Sequence, residues 1–234
     1  MIQLETAVAS INGRQVFGPI SAHLIEQRIG FIGRNGSGKS SLVRAIAGLI
    51  SVEVGNLRVN GYDPAQDRTS TINDIGILFQ NPDHQIIFPT VEEEIGFGLR
   101  QQGQSKAEAA RGTTAILAQF GRENWAKRNI STLSQGQRHL LCLMAVLAMR
   151  PKIILLDEPF TGLDLMTRRA LTAHLAKLPQ RIIHVTHQTE DMADYDRVLW
   201  IDEGTLKMDG SAAEVISAYT QSASSGGQDA FTDL

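Results

Sequence analysis

Short apolar runs bounded by turn residues alternate along this chain with stretches of helical period. Residues 2–8 predict a first strand, Asn12-Gly13 a turn, and Gln15-Val16-Phe17 a return to strand. An apolar run at 28–32 predicts a strand leading into a glycine-rich loop, and residues 41–47 the helix beyond it. Residues 55–61 predict a short strand closed by Asn60-Gly61, and residues 75–79 another that ends at Gln80. The pattern then turns helical over 91–99, over the Ala-, Gln- and Glu-rich 105–120, and over 134–149. The last of these is apolar all round in its second half, as a buried helix is. Strand and helix alternate again from residue 152, with strands at 152–156, 181–186 and 198–201 and a helix at 164–178. The order predicts an α/β core interrupted by a helical insertion, with no internal repeat. A Ser-, Gly- and Gln-rich stretch at 222–229 lacks periodicity and predicts a disordered tail over 222–234.

Length and charge narrow the classes. A chain of 234 residues that is 42% hydrophobic suits one large soluble α/β domain or two small ones. A formal charge of −3 gives no electrostatic case for a nucleic-acid partner or an anionic membrane surface. With Cys142 alone there is no disulfide framework, and its apolar helical setting predicts a small buried hydrophobe. Residues 1–5 carry no basic start followed by an apolar stretch, so no secretory leader is expected. The longest apolar run, 140–149, is about half of the roughly 20 residues a membrane helix needs. Any membrane role must therefore come through a partner.

The chemistry begins at Gly33-Arg34-Asn35-Gly36-Ser37-Gly38-Lys39-Ser40, followed by Ser41, which fits G-x-x-x-x-G-K-[ST] at every defined position. A strand precedes it and a helix follows it, as a phosphate loop requires. Glycines let the backbone wrap a phosphate, and the helix start turns free N–H groups and a positive dipole end toward it. Lys39 is expected to reach the β- and γ-phosphates, and the Ser40 hydroxyl to ligand Mg²⁺. Binding of a nucleoside triphosphate follows.

Residues 153–156 are four apolar residues ending in Asp157-Glu158, which suits a central parallel strand buried on both faces. Carboxylates at such a strand end lie where open α/β sheets bind ligands. Asp157 is expected to hold Mg²⁺ as the acidic partner of Ser40. Glu158 is expected to orient or deprotonate the water that attacks the γ-phosphate. Alone, an apolar strand ending in Asp-Glu is commonplace; paired with a phosphate loop it is specific.

At Leu133-Ser134-Gln135-Gly136-Gln137 the chain resembles the LSGGQ signature of ATP-binding-cassette (ABC) ATPases, with Gln135 in place of a glycine. The motif order is also similar: phosphate loop, Gln80, signature, Asp157-Glu158, Thr161-Gly162-Leu163-Asp164, then His187. The resemblance spans nearly the whole chain up to about Tyr219. It implies a P-loop NTPase of ABC type, with a RecA-like core, an antiparallel β subdomain and an inserted helical subdomain. The implied division is one domain over 1–221, with core 1–83 and 151–221 and insertion 84–150. Ser134 and Gly136 open a helix, so they can offer a hydroxyl and N–H groups to a phosphate. Since one chain already has its own phosphate loop, this second anion site implies a head-to-tail dimer with two ATP molecules sandwiched, as in ABC proteins. By the same resemblance His187 is the switch histidine at the γ-phosphate, Gln80 touches Mg²⁺ or the water, and Asp164 links the two sites. A lone histidine at a strand end is otherwise more often a polar surface residue, and His184 has no such warrant.

Residues 79–99 are similar to the segment that follows Gln80 in ATPases of energy-coupling factor (ECF) importers of vitamins or transition-metal ions. Read by itself, Glu92-Glu93-Glu94 is a solvated helix start favoured by the helix dipole. The resemblance implies that this surface receives coupling helices of a transmembrane scaffold. It further implies a substrate-binding membrane protein, a place on the cytoplasmic face of the membrane, and a homodimer, since one chain carries a complete motif set. Shortness resembles the dedicated biotin, cobalt or nickel systems, with biotin favoured. On this reading two ATPs close the dimer, closure moves the helical insertions against the scaffold, and hydrolysis reopens it.

Three departures stand out. No aromatic side chain occupies Ser10-Ile11-Asn12, so Ile11 or Val16 must give adenine its apolar contact, with stacking lost. Gln135 replaces the signature glycine, and Leu140 stands where many relatives keep an arginine. Other classes remain open: another ABC transporter type, a soluble ABC ATPase of DNA repair or translation, a P-loop kinase, or a silent binding module. Tandem cassettes, coiled-coil insertions and basic patches are not visible in the sequence, and the signature argues against a kinase.

Overall fold

The computed structural model describes residues 1–226 of the chain. In chain order the elements are β1 (Ile2–Ile11), β2 (Arg14–Leu24), β3 (Arg28–Ile32), α1 (Lys39–Ile46), β4 (Val54–Val59) and α2 (Arg68–Asp74). There follow β5 (Ile75–Leu78), α3 (Val91–Gln101), α4 (Lys106–Gln119), α5 (Gln135–Ala148), β6 (Ile153–Asp157) and α6 (Leu165–Ala176). The chain closes with β7 (Arg181–Val185), β8 (Arg197–Asp202), β9 (Thr205–Gly210) and α7 (Ala212–Gly226). By packing they fall into two units, one from Met1–Gln66 together with the chain from Arg181 onward, the other Asp67–Gln180.

In the first unit β1 pairs antiparallel with both β2 and β4, setting Ile2 opposite Leu24 and Val59. The β1–β2 turn uses Asn12 and Gly13, both left-handed at φ 52° and 75°, the backbone that a two-residue hairpin demands. The parallel part is built on β3, which lies between β7 and β8, with Phe31 opposite Val185 and Leu199. All four residues of β3 after Arg28 are buried, as a strand covered on both faces must be. Each large side chain there contributes roughly 2 kcal/mol by burial.

β9 and α7 were not expected from the sequence. β9 returns antiparallel along β8, and α7 lays Ala212 and Val215 against Ile32, Val198 and Trp200. Tyr219 meets Trp200 edge-on at 5.4 Å. The helix continues to Gly226, which corrects the expectation of disorder from residue 222; the remainder of that expected tail, 227–234, lies outside the described residues. Ala and Ser carry the last turns of α7, and its apolar anchors Val215 and Tyr219 lie upstream of the linker-like composition.

In the second unit β5 and β6 run parallel, Ile75 opposite Ile153 and Leu78 opposite Leu156. Every element from Pro82 to Ala148 is helical. Packing places the unit boundaries at 66/67 and 180/181, outside the all-helical stretch between β5 and β6. α5 is apolar because it is the core of this unit: Leu141, Cys142, Leu143 and Met144 are at most 1% exposed. Burial pushes the Cys142 thiol up to about 12, the inert hydrophobe that was expected. α2 was not anticipated; it starts at Asp67, whose carboxylate accepts from the Ser70 N–H at 3.0 Å.

The acidic start of α3 needs correction. Glu92 pairs with Lys127 at the surface, but Glu94 is buried at 7% exposure. Its carboxylate accepts the Ile87 and Phe88 N–H groups, both at 2.9 Å. The charge is therefore satisfied by the backbone it organises instead of by solvent.

Candidate nucleotide site

In the first unit β3 leads straight into the loop Gly33–Gly38, and α1 begins at Lys39. A Cβ at Gly33 would overlap the Ile201 carbonyl. Gly38, the N-cap of α1, is left-handed at φ 98°, and a Cβ there would stand 2.6 Å from the Val16 carbonyl. Both glycines are therefore dictated by backbone approach as well as by φ. Because Gly38 has no side chain, no side-chain cap covers the start of α1, which leaves its first N–H groups to an anion.

Lys39 is 5% exposed. Its ammonium donates to the Gly33 carbonyl at 2.8 Å, the Arg34 carbonyl at 2.6 Å and Ser37 Oγ at 3.3 Å. A cation is thus held at the loop by the loop's own oxygens. Behind it the loop is tied to the β8–β9 turn: Gly204 N–H donates to the Ser37 carbonyl at 3.0 Å, and Gly18 N–H to the Gly204 carbonyl at 2.6 Å. Sequence reading missed this brace, although Asp202-Glu203-Gly204 is a turn signal. Arg34, Asn35 and Gly36 are exposed at the loop crest, and Ser40 and Ser41 half-buried on the first turn of α1.

Two expected neighbours of the loop are brought to it within this unit. Val16, half-buried, lays its carbonyl against Gly38, whereas Ile11 is 40% exposed at the hairpin end. Of the two apolar candidates for adenine, Val16 is the one at the loop. His187 follows β7, the parallel neighbour of β3, so it leaves the same sheet edge as the loop. Thr186 N–H donates to the Phe31 carbonyl at 3.3 Å and Thr186 Oγ1 accepts from Gln188 N–H at 3.0 Å, turning His187 outward, where it is exposed. His184 is buried and bonded to the Tyr195 hydroxyl at 2.9 Å; it belongs to the core.

The second unit gathers the other expected residues. Since β5 and β6 are parallel, Gln80, Asp157 and Glu158 all leave one edge of the pair. Asp157 is 4% exposed. Glu158 is left-handed at φ 52°, an uncommon backbone for a non-glycine residue, and one that clusters at functional sites. Thr161 braces it, its N–H donating to the Glu158 carbonyl at 3.2 Å and its hydroxyl to the carboxylate at 3.4 Å.

Asp164 caps α6, accepting the Met166 and Thr167 N–H groups at 3.0 Å and the Thr167 hydroxyl at 2.7 Å. These bonds, led by the Thr167 N–H, hold its carboxyl below the usual carboxylate range. Ser134 caps α5 in a reciprocal box: Ser134 Oγ accepts Gln137 N–H at 3.3 Å and the Gln137 side chain accepts Ser134 N–H at 3.0 Å. The Gln135 carboxamide lies against Gly162, where a Cβ would be 2.8 Å from Nε2. Leu140, half-buried, lines a cavity of about 360 Å³ of mixed character, with Phe120, Trp125 and Leu171 beside Arg122, Gln137 and His174.

Taken separately, Ser40 offers a half-buried hydroxyl on α1 and Asp157, in the other unit, a buried carboxylate, each an oxygen donor of the type Mg²⁺ takes beside substrate phosphates. Among the described residues no three His, Cys, Asp or Glu side chains converge as a metal cage.

Comparison with known proteins gives the family. Residues 24–161, more than half of the chain, match the family model described as ABC transporter. The biotin transport ATP-binding protein BioM of Rhodobacter capsulatus is 50% identical over 208 residues, 89% of each chain. The energy-coupling factor transporter ATP-binding protein EcfA1 of Levilactobacillus brevis is 35% identical over 82% of this chain and 71% of its own. The solved structure of cbiO1 from Clostridium perfringens, described as part of the ABC transporter complex cbiONQ, superposes with a TM-score of 0.79 at 26% identity, over 92% of this chain and 90% of that one. The chain belongs to the ABC transporter ATPases, with their α/β P-loop fold, and is an ATP-hydrolysing subunit of energy-coupling factor type.

Proposed function

We propose that this ATPase drives biotin uptake as a peripheral subunit on the cytoplasmic face of the membrane, with a transmembrane scaffold and a substrate-binding membrane protein. The observation that carries the cargo is the 50% identity to a biotin transport ATP-binding protein over 89% of both chains. A groove between α3 and α4 supports the scaffold: about 620 Å³, floored by Phe88, Phe97, Ala109 and Leu117 and rimmed by Glu92 and Lys106. Apolar floor and mixed-charge rim suit an amphipathic helix.

Each residue then has a role. The loop from Gly33 through Arg34, Asn35, Gly36, Ser37 and Gly38 cradles the phosphates, Lys39 releases the loop carbonyls to take the β- and γ-phosphates, and Ser41 continues the helix start. Val16 gives adenine an apolar contact. Mg²⁺, held by Ser40, Asp157 and Gln80, supplies charge neutralisation at the phosphates. Glu158 orients or deprotonates the attacking water, and His187 contacts the γ-phosphate. Ser134, Gln135, Gly136, Gln137 and Asp164 meet the nucleotide of a second copy, which makes the working unit a head-to-tail homodimer carrying two ATPs.

Cells lacking this chain should lose high-affinity uptake of radiolabelled biotin, regain it with the wild type and not with Lys39→Ala. Unchanged biotin uptake in the deletion would overturn the cargo.

A further inference from the structure

We infer that His139 is a positioning residue that ties the Gln80 segment to the first turn of the signature helix α5. The inference rests on the reading that Gln80 serves the nucleotide site, and it concerns contacts inside the second unit alone.

His139 is fully buried on the second turn of α5. Its Nδ1 stands 3.2 Å from the Gln135 carbonyl and its Nε2 3.3 Å from the Gln80 carbonyl. Both partners are carbonyl oxygens and can only accept. A neutral imidazole has one N–H, so it donates to one of them at a time. Its tautomer therefore selects between two arrangements. With the proton on Nδ1 the ring bonds within its own helix; with the proton on Nε2 it holds the Gln80 carbonyl. The Gln135 carbonyl already accepts in the α-helical ladder, from the N–H four residues on. The Gln80 bond is the one that gains most from the proton.

A second tie runs alongside. Arg138 Nε pairs with Asp83 at 3.1 Å, and its Nη1 donates to the Leu133 carbonyl at 2.9 Å, just before the signature serine. Asp83 sits in a short 3-10 turn, Pro82–His84, capped by Asn81 Oδ1 accepting the Asp83 N–H at 2.9 Å. So the stretch from Gln80 to His84 is an ordered turn fastened to α5 at two consecutive residues. Whatever displaces the Gln80 side chain pulls on the helix that begins at Ser134-Gln135-Gly136. On the dimer reading this joins the nucleotide facing Gln80 to the one facing the signature.

Gln and Asn separate the two bonds, since the Gln amide nitrogen reaches about as far as imidazole Nε2 and the Asn amide about as far as Nδ1. The test is steady-state ATP turnover of the full chain as wild type, His139→Gln, His139→Asn and Gln80→Ala, with the thermal midpoint of each. His139→Gln should keep kcat within about twofold, whereas His139→Asn should lower kcat about tenfold with KM for ATP within about twofold. The Asn variant should melt with the Gln variant. Equal kcat in the two variants, or a loss in His139→Asn that follows a fall in its thermal midpoint, would overturn the tie. Full turnover in Gln80→Ala would overturn the reading of Gln80 itself, an outcome that the other two variants do not produce.

Discussion

The phosphate loop and the signature segment both lead into the start of a helix, yet they are held by different means. The loop is held by backbone: Gly33 against the Ile201 carbonyl, Gly38 against the Val16 carbonyl, Ser37 bonded to Gly204. Even its cation rests on main-chain oxygens. The signature segment is held by side chains: the Ser134–Gln137 box, the Arg138–Asp83 pair, His139 on Gln80, and Gln135 packed on Gly162. A backbone-held element tolerates almost no substitution, whereas a side-chain-held one can trade residues while its helix start survives. The loop accordingly matches its pattern at every position, and the signature carries a glutamine where the LSGGQ pattern has glycine.

The largest expected effect lies at Glu158, the proposed water-activating carboxylate. Glu158→Gln should cut turnover at least about 100-fold, the range a positioned general base supplies. It should also accumulate an ATP-bound dimer in size-exclusion chromatography. Turnover within a few-fold of wild type would remove Glu158 as the base.

Next is Gly38→Ala, which tests the backbone half of the comparison. Its left-handed φ alone costs about 1–2 kcal/mol, and the Cβ would press on a backbone carbonyl that cannot swing away. ATP affinity by calorimetry and the thermal midpoint should both fall. Retained affinity would show that the loop has more freedom than its contacts imply.

Glu94→Ala tests the side-chain half. Two N–H groups, those of Ile87 and Phe88, would lose their acceptor, at about 1–3 kcal/mol for each one left buried. Chemical denaturation should register the loss while ATP affinity, set in the other unit, stays close to wild type. A parallel fall in affinity would tie the two regions together more closely than this contrast allows.

The smallest effect is a null. The raised pKa of Cys142 means that less thiolate is present in the folded chain than in the unfolded one at any mildly alkaline pH. Folded protein should therefore resist a thiol reagent and unfolded protein should consume one equivalent. Rapid labelling of the native chain would show that α5 opens readily.

What could be read in the sequence divides along the same line. The loop between β3 and α1 was legible because local backbone demands write themselves as glycines. The strands β5 and β6 and the core helix α5 were legible as apolar runs. β9 was missed although Leu206 and Met208 alternate with polar neighbours at the period of a strand, since the run is six residues long and none of them is fully buried, and α7 because its end is Ser- and Ala-rich while its anchors find Trp200 only in three dimensions. Of three successive glutamates, which one turns inward depends on where the Ile87 and Phe88 N–H groups fall, and no local pattern records that. No motif marks His139 in the sequence. Only the fold brings the Gln80 carbonyl to it.

The central claim, an ATPase that powers an importer, is tested most directly by affinity purification of this chain from gently solubilised native membranes, with mass spectrometry of its companions. The account predicts a polytopic scaffold protein and a small biotin-binding membrane protein in stoichiometric amounts. Recovery with soluble partners alone would contradict it, leaving the ATPase without a transporter.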